Sequence, residues 1–255
     1  MNKKLLFAVL LTAVIGCGAM AQSTFTLRLG SGMLYDDFGM TKSAGSGQQE
    51  AADPVKSPSI GFTFGAEWSH QVKAVDGLSF VLSLDGFYNG PTKELNEYLD
   101  KEHDRVTGLG ADMTITRPSF LNFPLMLGAQ YGYDAIPGIG IYTTLAAGAN
   151  LRYTTPMTFE YVIVYDNSVP YGTVNQTIEF IFQPVVTFAF RLTAGMVFND
   201  KFSVEMGYLN LGTGTANTEG HETISSSVAN TTRTNKASPV TNTPEIFTLS
   251  LGIRL

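Results

Sequence analysis

Ile60-Gly61-Phe62-Thr63-Phe64-Gly65-Ala66-Glu67-Trp68-Ser69 sets an apolar residue at every second position, with Gly, Thr, Glu and Ser between them. Successive side chains of an extended chain point to opposite faces. The stretch therefore predicts a strand with one apolar and one polar face. Phe247–Leu255 repeats the pattern, with Phe247, Leu249, Leu251, Ile253 and Leu255 set against Thr248, Ser250, Gly252 and Arg254. Phe202–Tyr208 does the same, with Ser203, Glu205 and Gly207 on its polar face.

Eight such runs cover roughly 24–35, 59–69, 78–88, 120–132, 139–154, 178–194, 202–210 and 245–255. Each is long enough to supply the about 9–11 residues that a tilted strand needs to cross a hydrocarbon layer. The connecting segments alternate in kind. Residues 70–77, 133–138 and 195–201 are short and contain Asp76-Gly77, Pro137-Gly138 and Asn199-Asp200, which are turn pairs. Residues 36–58, 89–119, 155–177 and 211–244 are long and polar. This alternation predicts an all-β fold: an eight-stranded antiparallel up-and-down transmembrane β-barrel with long outer loops and short periplasmic turns. Ten strands result if 157–165 and 172–182 also cross. Thr92–Val106 reads as a short helix with Leu95, Tyr98, Leu99 and Val106 on one face. The Thr-, Ser- and Asn-rich segment 211–244 is expected to be mobile.

Alternation alone does not say which face meets water. The polar faces do, because they are mostly Gly, Ser and Thr. Only 15% of the chain is charged, against about 25% in a typical soluble domain. A water-facing surface is rich in Lys and Glu, so the apolar face is assigned to lipid and the polar face to the lumen. Strand parity then puts Arg28, Glu67, Asp85, Arg152, Arg191, Glu205 and Arg254 on the lumen side. Around the wall, Glu67, Arg28, Arg254, Glu205 and Arg191 follow one another with mostly alternating sign, as a lumen charge network would. A narrow eight-stranded barrel fills its interior with side chains, which argues against bulk transport. Tyr35, Phe87, Tyr153, Tyr208 and Phe247 near the outer strand ends, and Trp68, Tyr131, Tyr133, Phe198 and Phe202 near the inner ends, read as two aromatic girdles.

The first residues describe a secretory signal. Lys3-Lys4, the apolar run Leu5–Ile15 and Ala19-Met20-Ala21 predict cleavage after Ala21, which leaves a barrel domain over 22–255. Val14-Ile15-Gly16-Cys17 offers a rival, lipidation at Cys17. Cys17 is the only cysteine, so the exported chain has no disulfide or thiolate metal site. The net charge of −6 becomes more negative once Lys3 and Lys4 are removed, which argues against nucleic acid as a partner.

Phe120-Leu121-Asn122-Phe123-Pro124-Leu125-Met126-Leu127 resembles the mid-barrel strand of the Bacteroidota outer-membrane β-barrel family, often called porin-family proteins. Phe198-Asn199-Asp200-Lys201-Phe202-Ser203 resembles its sixth turn. Phe247–Leu255 is similar to the closing strand that barrel-assembly machinery reads, although such strands often end in an aromatic residue and this one ends in Leu255. In form the family resembles outer-membrane proteins X and A. The resemblance implies an outer-membrane location and contact with outer-membrane lipids and lipopolysaccharide; no cofactor is expected, since the chain shows no Gly-rich phosphate cradle. One group, the PorT-like proteins, is implicated in secretion.

Candidate chemistry is sparse. His70 lies at an inner turn. His103 precedes Asp104, and His221 precedes Glu222 with Ser225 nearby, both in outer segments. A lipid-modifying enzyme would need such groups to converge. A sharper feature is alternation that continues beyond the membrane. Phe159, Tyr161, Ile163 and Tyr165 keep the parity of Leu151 and Tyr153, and Ile178, Phe180 and Phe182 keep that of Val186 and Phe188. A protruding hairpin with an aromatic face follows, tipped by 166–170, which could bind an extracellular protein partner. The leading function is therefore non-enzymatic: a structural or surface-interaction role through the outer loops. A lipid-modifying enzyme, a secretion accessory and a narrow porin are the alternatives.

Overall fold

A computed structural model describes residues 23–36, 57–164, 172–226 and 229–255. The predicted signal with Ala21 and Cys17, together with Tyr165 and the 166–170 tip, lies outside the described residues. In chain order the strands are β1 (Ser23–Asp36), β2 (Ser57–Gln71), β3 (Leu78–Asn89), β4 (Asp112–Thr116), β5 (Phe120–Ile136), β6 (Ile139–Thr154), β7 (Met157–Val164), β8 (Thr173–Phe182), β9 (Val185–Phe198), β10 (Phe202–Asn210), β11 (Gly214–Ser225), β12 (Asn230–Asn242) and β13 (Glu245–Arg254). One helix, α1 (Lys93–Thr107), lies between β3 and β4.

Eight strands close into an antiparallel barrel in the order β1-β13-β10-β9-β6-β5-β3-β2. The apolar parity faces outward: Leu127 and Phe188 are each 69% exposed, whereas Thr144 and Asn150 are 0% exposed inside. The chain is thus a transmembrane barrel with an apolar exterior and a polar interior. At one inner turn, Asn199 and Asp200 take φ of 49° and 57°. Asn and Asp tolerate that left-handed backbone, and the Lys201 N–H closes the turn on the Phe198 carbonyl at 3.0 Å.

The remaining strands form a second sheet beyond the outer rim, in the order β12-β11-β8-β7-β4. Prolines mark the seam. Pro118 precedes β5, Pro156 separates β6 from β7, Pro184 separates β8 from β9, and Pro244 separates β12 from β13. A proline has no N–H to give a ladder, so regular pairing stops there.

Four sequence expectations are corrected. The run 178–194 is two strands, β8 in the raised sheet and β9 in the barrel, because Pro184 breaks a parity that otherwise continues. The segments 157–165 and 172–182 do not add ninth and tenth wall strands, since β7 and β8 pair within the raised sheet. The segment 211–244 is largely the hairpin β11–β12, with cross-strand Thr pairs holding what low apolarity does not. Phe87 is not a girdle residue: it shares the parity of Asp85 and is 4% exposed inside the barrel.

Helix α1 begins at Thr92, whose hydroxyl accepts from the Leu95 N–H at 3.3 Å. Leu95, Leu99 and Val106 are buried, while Tyr98 turns outward. They pack on Met113, Met157, Phe159 and Phe182 of the raised sheet.

Candidate functional site

The lumen is filled by two layers of side chains. The inner layer is ionic. Arg28 reaches Glu67 at 3.0 Å, Asp85 at 2.8 Å and Glu205 at 3.1 Å. Arg191 reaches Glu67 at 2.5 Å and Asp85 at 2.9 Å. These groups are all at most 7% exposed. Since β9 and β2 lie on opposite sides of the closed strand order, the Arg191–Glu67 pair spans the lumen. Two arginines against three carboxylates leaves one negative charge over, and the Tyr142 hydroxyl adds a donor to Glu205, since buried charge needs partners.

Two glycines make room for this cluster. Gly65 stands between Arg28 and Asp85 in the register, and a Cβ there would lie 2.0 Å from Asp85 Oδ1. Gly195 stands between Tyr142 and Glu205, and a Cβ there would lie 2.5 Å from the Tyr142 ring. The Tyr142 hydroxyl crosses that gap and donates to Glu205 at 3.1 Å.

Of the residues read as a lumen network, Arg28, Glu67, Arg191 and Glu205 are brought together. Arg254 sits apart, with its guanidinium 5.6 Å from the centre of the Tyr142 ring. Asp85 is the third carboxylate of the cluster. Its inward parity was legible, but its cross-lumen partners depend on the barrel's diameter.

The outer layer is apolar. Leu34, Phe87, Met126, Ala146, Ala189, Leu209, Leu211 and Ile246 fill the lumen from mid-barrel to the outer rim. Between the layers there remains a space of about 20 Å³, room for about one water. The rim is tied down by Arg152, which donates to the Asn242 side chain and, at 3.1 Å, to the Gly212 carbonyl. Parity reasoning assigned a uniformly polar lumen and missed this plug. The available signal was local: Met33-Leu34-Tyr35, Phe87-Tyr88 and Ile246-Phe247 are apolar at consecutive positions, as happens where both faces of a strand are buried.

Above the rim, the raised sheet has one covered and one open face. Phe159, Tyr161, Ile163 and Phe180 of the β7–β8 hairpin lie on the face toward α1. Phe159 is 7% exposed, and the other three are half-buried. Phe159 meets Phe180 edge-on at 6.0 Å and stacks on Tyr161 at 6.5 Å. The hairpin exists, but its aromatic face packs against the molecule's own helix. Burial, with Glu102 nearby, raises the Tyr161 phenol above its ordinary value. The neutral form is therefore favoured, and the packing weakens only as pH rises through that raised value. The opposite face presents Thr114, Glu160, Thr177, Thr223 and Thr232 in one row across the five strands.

Arg117 staples α1 in place. It donates to Asn96 and pairs with Asp100, both at 2.5 Å. The pair is largely exposed, so Arg117→Ala is expected to cost about 1 kcal/mol or less. Hydrogen exchange along α1 would accelerate. Unchanged exchange would show that the apolar face alone holds the helix.

No family model matches the chain, and no curated protein matches it. Solved structures do. Ail, the attachment invasion locus protein of Yersinia pestis, is 10% identical, with 92% of this chain and 100% of that chain covered and a TM-score of 0.37. OprG from Pseudomonas aeruginosa is 11% identical, over 92% of this chain and 96% of that one, with a TM-score of 0.40. A major outer membrane protein from Thermus thermophilus is 10% identical, over 91% and 99%, with a TM-score of 0.42. All three are outer-membrane proteins.

The histidines are dispersed. His70 Nδ1 lies 2.9 Å from Ser23 Oγ, and its ring stacks on Trp68 at 5.7 Å near the inner rim. His103 is 3.6 Å from Asp104 on α1. His221 lies 4.0 Å from Glu219 and 3.2 Å from Thr234 on the open sheet face. Glu222, adjacent in sequence, points to the other face and accepts from Gln176 at 2.6 Å. Ser225 pairs with Asn230 instead. Among the described residues, no cluster of three His, Cys, Asp or Glu is arranged as metal ligands.

Proposed function

We propose that this chain is a non-enzymatic outer-membrane protein that holds a raised sheet above the membrane as a surface for an extracellular protein partner. The observation that carries this reading is the combination of a lumen filled by both an ionic and an apolar layer with an ordered five-stranded platform beyond the rim. A filled lumen offers no bulk solute path, so the part of the molecule free to act is outside it. The filling also speaks against a narrow porin.

The contact surface is assigned to the open face of the raised sheet, not to the aromatic face of β7–β8. That open face carries Asp112, Glu160, Glu179 and Glu219, with His221 and the exposed Val162, Val164 and Ile181, among Thr and Asn side chains. It suits a partner surface that is basic, or neutral and rich in hydrogen-bonding groups. Outer-membrane lipids and lipopolysaccharide would surround the belt, and assembly machinery would read β13. Export by a signal cleaved after Ala21, with 22–255 as the barrel domain, belongs to the same proposal. So does the resemblance of Phe120–Leu127 to the Bacteroidota barrels.

Two measurements test it. In a planar bilayer the purified chain is expected to give no single-channel steps; regular conductance would replace the platform reading with a pore. Protease treatment of intact cells should cut within 36–58 or 211–244 and spare the inner turns. Cuts confined to the inner turns would invert the topology.

A further inference from the structure

The lipid-facing wall is not evenly filled. Outward positions of β1 read Leu27, Leu29, Ser31, Met33 and Tyr35, so a hydroxymethyl stands where its neighbours carry long side chains. The result is a groove of about 290 Å³ on the outside of the barrel at the β13–β1–β2 junction. Ser31, Met33, Tyr35, Ile60, Phe247 and Leu249 line it, over the backbone of Gly32 and Thr248. Tyr35 and Phe247 meet edge-on at 5.7 Å at its outer end. The Tyr35 hydroxyl reaches the Met33 sulfur at 3.0 Å, which fixes both side chains beside the groove. The aromatic band continues around the wall from Phe247 to Tyr208 at 5.2 Å, and on to Phe190 at 5.9 Å.

We infer that this groove is a specific seat for one saturated acyl chain of lipopolysaccharide. The inference rests on the outer-membrane reading above. The groove is continuous with the lipid-facing belt and lies in its outer half, beneath the aromatic girdle. Its neighbours there are acyl chains of the outer leaflet, which in an outer membrane belong to lipopolysaccharide. Its mostly apolar lining offers water few hydrogen-bond partners. Between acyl chains and an apolar wall no hydrophobic driving force operates, so selection comes from van der Waals fit. An open groove floored by backbone and flanked at its outer end by the Tyr35 and Phe247 rings favours a straight chain. Ser31 acts through its small size.

The test reconstitutes the full chain in nanodiscs of phosphatidylethanolamine with rough lipopolysaccharide and releases it into the gas phase for native mass spectrometry. The wild type and Ser31→Ala are expected to retain one lipopolysaccharide molecule, and Ser31→Leu, which fills the groove, to lose at least two-thirds of that adduct. Equal adducts in all three proteins, or a retained phospholipid instead, would overturn the site. Heat-modifiable gel migration of each protein checks the barrel separately. Folded, detergent-dependent barrels with equal adducts remove only the groove, whereas protein that stays soluble in plain buffer removes the membrane reading itself.

Discussion

Replacing Arg28 with methionine is expected to lower the unfolding free energy by about 3–5 kcal/mol, because it strands buried carboxylates without their counter-charge. Glu205 loses its only ion pair among the described residues and keeps the Tyr142 hydroxyl. Glu67 and Asp85 are left to share Arg191. Urea titration in phospholipid vesicles, followed by heat-modifiable migration, measures the effect. The double variant Arg28→Met with Glu205→Met is expected to cost less than the sum of the single variants, since the second change removes a charge that the first left bare. A loss below about 1 kcal/mol for Arg28→Met would mean that water enters the cluster freely, and the ionic layer would then not close the lumen.

The second large effect lies on the outside. Leu127 is 69% exposed in the middle of β5, on the belt. Leu127→Arg is expected to destabilise the barrel in vesicles by about 2–4 kcal/mol, the cost of a guanidinium near the bilayer midplane. On a water-facing surface the same change stays within about 0.5 kcal/mol. The experiment therefore separates a lipid-facing belt from a solvent-facing one at a single residue. A near-zero change in bilayers would reverse the assignment of the two faces.

The wall was readable because its physics is local. A strand such as Ile60–Ser69 needs only alternation, and the short turn at Asn199-Asp200 needs only residues that tolerate left-handed backbone. Glu67, Arg28, Glu205 and Arg191 followed from parity plus strand order. What parity does not contain is what each apolar side chain meets. Phe182 and Phe188 share a parity, yet α1 covers the first, at 5% exposure, and lipid the second, at 69%. Leu34 and Phe87 sit on the polar parity and are still apolar, because near the outer rim the lumen is filled by Leu211 and Ile246 rather than by ions. The raised sheet had a signal that strand counting overlooked: Arg117-Pro118, Thr155-Pro156, Gln183-Pro184 and Thr243-Pro244 each interrupt a run that would otherwise continue.

Those four interruptions also govern how the molecule would bear load. Tension applied at the tip of a continuous ladder would peel hydrogen bonds one after another down into the wall. Here the regular ladders of the wall and of the upper sheet end at the rim, bridged by isolated backbone bonds such as the Thr155 N–H on the Ser119 carbonyl at 2.9 Å and the Leu211 N–H on the Pro244 carbonyl at 3.0 Å, so tension on the tip would bend and shear the upper sheet first. The closed ring below would stay intact, and an anchor of this design could yield and re-form without leaving the membrane.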